Sequence, residues 1–261
     1  MNFTPNSFSD GGELSTPGKV MERLAFFGPI DALDIGAEST APQNDPIDFY
    51  QELKRLEVVL PMLKRLECSI SIDTYHPETI FKIAELWMSE GLKNPLIWND
   101  VSGKFDQSVK DFLKLSSHFH YVLCHNLAPI RELTSSHMEY LSSRVEEDFL
   151  DELASFFRPY IHPRVIFDPC LGFSKNYEQN WYILNHFEKL QKRVPHSRWL
   201  LGFSRKSFLR IKYGISALNP GNRQQLDECH LLEVARLLPK LSGEIWIRTH
   251  RPELLSDLRK K

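Results

Sequence analysis

The sequence predicts an α/β fold, a (β/α)₈ barrel carrying its functional groups at one end of the strands. Three observations predict it. Short apolar runs alternate with longer amphipathic segments along the whole chain, as in parallel strands buried on both faces and joined by crossover helices. Polar residues cluster just after each apolar run, where a barrel of this class gathers its ligands. No Gly-x-Gly-x-x-Gly fingerprint follows any run, which argues against a doubly wound open sheet. No low-complexity stretch or long Gly/Ser linker interrupts the 261 residues, so one domain over 1–261 is expected.

Met1-Asn-Phe is the stub of a first strand, apparently truncated, and the turn formers Thr4 to Gly12 follow it. Thr16-Pro17 supplies an N-cap and a first-turn proline for a helix through about Phe27. The run from Ala32 is the next strand, ending in Glu38, Ser39 and Thr40. Asp45-Pro46 is expected to cap a helix reaching about Leu66, which Pro61 should kink or split. A strand from Cys68 ends in Asp73 and Thr74, and His76-Pro77 starts a helix that Gly91 stops. The runs from Leu96, Tyr121 and Val165 end in Asn99-Asp100, His125-Asn126 and Asp168 to Lys175.

The most informative stretch is Trp199-Leu-Leu-Gly-Phe-Ser-Arg-Lys-Ser-Phe-Leu209. Gly202 permits a tight exit from the strand, and Ser204, Arg205, Lys206 and Ser207 then crowd its end. Ser207 falls near a helix N-terminus, where free amides favour an anion. Glu244 to His250 is the last strand, with Arg248 and His250 at its end before a final helix. Counting the stub, there are eight strands.

A formal net charge of −2 gives no basic field for nucleic acid. No apolar run reaches the roughly 18 residues of a membrane span and no signal peptide opens the chain, so a cytoplasmic location is expected. Cys68, Cys124, Cys170 and Cys229 are scattered without zinc-type spacing and read as small buried hydrophobes. His76, His118, His120 and His137 read as surface or packing histidines, Trp87, Trp98 and Trp181 as core, and Arg259 to Lys261 as a solvated helix end.

Seven motifs in order carry a resemblance. They are Asn2 to Gly12, Asp34 to Pro42, Ser71 to Tyr75, Asn99 to Gly103, Asp168 to Phe173 with Lys175, Ser204 to Phe208, and Arg248-x-His250. Together they resemble dihydropteroate synthase, a pterin-binding TIM-barrel family of folate biosynthesis. Ser204-Arg-Lys-Ser-Phe208 separates that family from its methyltransferase relatives. The resemblance implies a homodimeric transferase that condenses 6-hydroxymethyl-7,8-dihydropterin pyrophosphate with 4-aminobenzoate, using Mg²⁺ and releasing pyrophosphate. By the same resemblance Asp73, Asn99, Asp168 and Lys206 hold the pterin, with Lys206, Asp168 and Asp10 catalytic. Ser207, Phe173, Pro42 and Thr40 receive the aminobenzoate, Asn2, Arg248 and His250 the pyrophosphate, and Asn2 the metal. Lys175 matches the motif without an assigned role.

Several positions depart from the family pattern. Ala41 stands where arginine is usual, Asn6 where aspartate is usual, Ala37 where glycine is common and Arg251 where an acidic residue is frequent. The chain also begins almost at the first motif, so an upstream extension, a fusion or an improvised first strand all stay open. The alternatives are a catalytically weak or silent pterin-binding homologue and, further off, a pterin-dependent methyltransferase component.

Overall fold

Parallel pairing of consecutive strands runs through residues 32–100 and again through residues 165–248, as buried apolar runs joined by helices require. The computed structural model describes residues 1, 17–38, 46–127, 147–216, 220–256 and 258. The chain divides into two compact units, Met1–Val122 and Leu123–Lys261.

The first unit contains α1 (Pro17–Phe27), β1 (Ala32–Gly36), α2 (Phe49–Glu57), α3 (Leu60–Leu63), β2 (Ser69–Asp73), α4 (Pro77–Ser89), β3 (Leu96–Asp100), α5 (Gln107–Leu115) and most of β4 (Phe119–Cys124). Register sets Asp34 against Ser71, Gly36 against Asp73 and Asp73 against Asn99. Since side chains alternate along a strand, Asp34, Ser71, Asp73 and Asn99 share one face. The first-strand stub is represented by Met1. Its amino group donates to the Asp34 carbonyl and its own carbonyl accepts from the Gly36 amide at 3.0 Å. These two bonds bracket Ile35 as a parallel ladder does.

Pro61 splits the long helix as expected, into α2 and α3. The cap does not fall where the sequence put it. Asp48 closes the first turn, accepting from the Gln51 amide at 2.8 Å, because α2 starts at Phe49 and an N-cap must immediately precede its helix. Asp45 lies outside the described residues. Trp87 and Trp98 are core residues, each 1 % exposed. Trp98 meets Phe112 and Tyr121 edge-on at 5.6 and 5.4 Å, the arrangement favoured by ring quadrupoles.

The second unit holds α6 (Glu147–Phe157), β5 (Val165–Asp168), α7 (Tyr177–Asn185), α8 (Phe187–Arg193), β6 (Arg198–Gly202), α9 (Ser207–Lys212), α10 (Pro220–Leu237) and β7 (Ile245–Arg248). A capping box fixes the start of α7, with Asn176 and Gln179 each accepting from the other's backbone amide. Trp199 anchors the core, with Phe157, Phe167 and Phe187 packed around it at 5.2, 5.5 and 5.1 Å. The final helix is reduced, among the described residues, to the 3₁₀ turn Pro252–Leu255 after β7. The Leu254 and Ser256 amides donate to the carbonyls of Arg251 and Glu253, three residues back as in a 3₁₀ turn, and Arg259 to Lys261 lie outside the described residues. Cys124, Cys170 and Cys229 are buried free thiols, and Cys68 is half-buried.

Candidate active site at the strand ends

In the second unit, Asp168 ends β5 and is buried. Its carboxylate accepts from the Cys170 amide at 2.7 Å. Burial pushes its pKa from 3.8 up to about 6, opposed by that amide and by the charges of Lys206, Arg248 and Lys175. A carboxylate kept ionised near neutral pH by surrounding cations is a strong acceptor for paired N–H donors.

Lys206 follows β6 as the N-cap residue of α9. Its ammonium stands 3.8 Å from the centre of the Phe173 ring, a cation–π contact. Gly172 makes that approach possible. It sits at φ +82°, and a Cβ there would lie 2.9 Å from Lys206 Cδ. Arg205, at φ 61°, is turned away from this cluster and clamps Asp227 of α10 with two bonds of 2.8 and 2.7 Å. That bidentate pair pins the turn carrying Lys206 to the following helix. Arg248 ends β7 opposite Gly202 in register. His250 Nδ1 lies 2.9 Å from Ser204 Oγ, joining the ends of β6 and β7. Ser207 is the first residue of α9 and is exposed. Beside it runs a groove of about 240 Å³, lined in part by Gly172, Asn176, Tyr177 and Phe208.

In the first unit, Asn99 is buried and donates to Asp34 Oδ1 at 3.0 Å, while Ser71 Oγ donates to the same oxygen at 2.6 Å. Holding the amide's N–H₂ side against Asp34 turns its carbonyl oxygen elsewhere as an acceptor. Asp34 is thus the residue that orients Asn99, which nothing in its own motif announced. Asp73 ends β2 and is half-buried. The next residue, Thr74, is buried and donates to the buried carboxylate of Glu52 at 2.7 Å. Burial raises the Glu52 pKa, and the bond from Thr74 lowers it. His76 packs on Tyr75 with its Nε2 3.0 Å from the Ile47 carbonyl and 3.6 Å from Glu38. It is a packing histidine, as its sequence position suggested.

Of the twelve expected site residues, Asp168, Lys206, Phe173, Ser207, Arg248 and His250 fall at the strand ends of the second unit and Asp73 and Asn99 at those of the first. Asn2, Asp10, Thr40 and Pro42 lie outside the described residues, as do Ala41 and Asn6. Among the described residues no group of three His, Cys, Asp or Glu side chains forms a metal cluster.

A family model described as pterin binding enzyme matches residues 1–236. A dihydropteroate synthase of Clostridium beijerinckii is 31% identical over 222 residues, covering 81% of this chain and 74% of the other. The chain belongs to the dihydropteroate synthase family. An Escherichia coli dihydropteroate synthase type-3 is 27% identical with 98% and 94% of the two chains covered. The folic acid synthesis protein fol1 of Schizosaccharomyces pombe is 32% identical over 225 residues, but the chain spans only 28% of its length. Among solved structures, the dihydropteroate synthase of Thermus thermophilus in complex with 4-aminobenzoate superposes with a TM-score of 0.72 at 25% identity, over 99% of this chain and 89% of the other. The fold class expected from the sequence, an α/β barrel, is the one such dihydropteroate synthases share.

Within this family frame the transferase class is clear, and two features were missed in the sequence. Asp34 was legible only as part of a motif. Lys175 was visible as a motif position, but its burial was not, since lysine is ordinarily a surface residue. No helix among the described residues is long and apolar enough to cross a membrane.

Proposed function

We propose that this chain joins 6-hydroxymethyl-7,8-dihydropterin, carried as its pyrophosphate ester, to 4-aminobenzoate. The observation that carries the reading is the second-unit cluster in which ionisable Asp168 is surrounded by Lys206 and Arg248, beside the Phe173 ring. In this reading Asp168 accepts from the pterin's paired N–H donors, and the family resemblance assigns Asp73 and Asn99 to the pterin as well. Lys206 donates to it. Arg248 and His250 hold the pyrophosphate, whose departure requires that the charge developing on oxygen be neutralised. The methylene carbon–oxygen bond breaks, and its electron pair leaves with the pyrophosphate. The aminobenzoate nitrogen then bonds to the methylene carbon and loses a proton to solvent. Phe173 and Ser207 receive the aminobenzoate ring and its carboxylate, and the family resemblance assigns Thr40 and Pro42 to the same substrate and Asp10 to catalysis.

Mg²⁺, which the family resemblance assigns to Asn2, would supply further charge neutralisation. A homodimer in the cytoplasm accompanies the reading, and sedimentation would check the oligomeric state. The test is pyrophosphate release by the purified protein with both substrates, with and without Mg²⁺, and with aminobenzoate omitted. Release dependent on aminobenzoate supports the synthase. Pterin binding without release supports the silent homologue, which Ala41 favours because a cation usual in the family is missing there.

A further inference from the structure

We infer that Lys175 is a positioning residue, whose ammonium gathers three backbone carbonyls and so fixes the turn that presents Asp168 and Phe173. The inference rests on the reading that those two residues contact the pterin and the aminobenzoate. Lys175 is 2 % exposed, and among the described residues no acidic side chain forms a salt bridge with it. Its Nζ donates to the carbonyls of His125 at 2.8 Å and Phe173 at 3.1 Å, with that of Cys170 at 3.5 Å. Three carbonyl dipoles converging on one point repel one another unless a cation sits there. The lysine therefore does for this turn what a bound cation would do.

The turn needs such a fixture. Cys170 at φ 56° and Ser174 at φ 53° are both left-handed although neither is glycine, and Gly172 between them is at φ 82°. Side chains in that region are unfavourable and persist only where the surroundings over-determine them. Asn180 Oδ1 takes the Gly172 amide at 2.6 Å, and Ser174 Oγ donates to Asn126 at 2.6 Å. Lys175 closes the same turn from beneath, and through Phe173 it sets the ring over which Lys206 stands.

The charge matters as well as the donors. Lys175 is one of the cations that hold the Asp168 pKa down against burial. Burial in turn lowers its own pKa to about 8, opposed by Cys170, Asp168 and Cys124 and aided by Lys206. His125 beside it is kept neutral, first by burial and then by Lys175 itself.

Lys175→Met removes the charge and keeps the length. Dihydropterin pyrophosphate affinity would be measured calorimetrically from pH 5.5 to 9, and the KM for aminobenzoate in steady state, with Asp168→Asn alongside. For Lys175→Met the low-pH midpoint of pterin affinity should move up from about 6, as Asp168 loses a cation. Affinity at pH 7 should fall severalfold and recover partly at pH 8.5, while the aminobenzoate KM rises at every pH. A uniform loss at all pH values, or an unmoved midpoint and KM, overturns the inference. If Lys175→Met does not fold, the wild-type protein still decides it, since its pterin affinity should decline above pH 8 as the ammonium is lost. Affinity that stays flat to pH 9 overturns it. Full pterin affinity in Asp168→Asn would instead sink the site assignment and the positioning role together. Loss there with no change in Lys175→Met sinks the positioning role alone.

Discussion

Asp168 should weaken the fold it serves, and removing its charge should stabilise the protein. The carboxyl titrates at about 6 in the folded chain against 3.8 for a free aspartate. At about 1.4 kcal/mol per pH unit that difference is worth about 3 kcal/mol. The folded pKa lies above the unfolded one, so between the two values the folded state binds more protons. Stability is therefore greatest below pH 4, falls as pH rises, and carries the full cost above pH 6. Asp168→Asn keeps an acceptor for the Cys170 amide and removes the buried charge. At pH 7 it should melt roughly 6 °C higher than wild type. At pH 4 the two should melt together. The same variant should bind the pterin pyrophosphate about ten to a hundred times more weakly, as expected on losing a charged hydrogen-bond acceptor. Differential scanning calorimetry across pH 4 to 8 gives the first comparison and titration calorimetry the second. An asparagine variant that melts at or below the wild-type temperature at pH 7 would refute the account of the buried carboxylate.

Other expectations follow from the same geometry. Gly172→Ala puts a Cβ 2.9 Å from Lys206 Cδ at a left-handed position, so it should cost about 1 kcal/mol or more of stability and weaken pterin binding by displacing the lysine. Arg205→Ala leaves the Asp227 carboxylate, 2 % exposed, without its clamp and should destabilise by about 3 kcal/mol, read as a lowered denaturant midpoint. Trp199→Ala empties the centre of the second unit's aromatic core and should cost about 3–5 kcal/mol. Ala41→Arg restores the cation usual in the family and should raise turnover; an unchanged rate would show that charge at this position does not limit the reaction.

The strands were legible because burial on both faces leaves a continuous apolar run, and their functional ends because polar residues follow each run at once. Ser207 was legible as a helix start, since hydroxyl residues and a glycine exit mark strand-to-helix turns. The α2 cap was misplaced because Asp45 and Asp48 offer the same chemistry three residues apart, and only the path of the preceding chain selects between them. The sequence promised a helix after Arg248 and His250, and the described residues there form only the 3₁₀ turn Pro252–Leu255. The roles of Asp34 and Lys175 were hidden for another reason. Asn99 lies 65 residues from Asp34 and His125 50 residues from Lys175, and no local pattern encodes contacts of that kind.

The turn from Cys170 to Ser174 also has a meaning for how this sequence can vary. Two of its positions hold side chains where the backbone asks for none. Glycine at either would relax the backbone but give up what the side chain holds, such as the bonds of the Ser174 hydroxyl with Asn126 and the Leu127 amide. Each would also free the unfolded chain and loosen the hold on Phe173. Selection at these sites therefore weighs stiffness against ease of folding, and a laboratory search for thermal stability should be steered away from them by screening binding as well as melting.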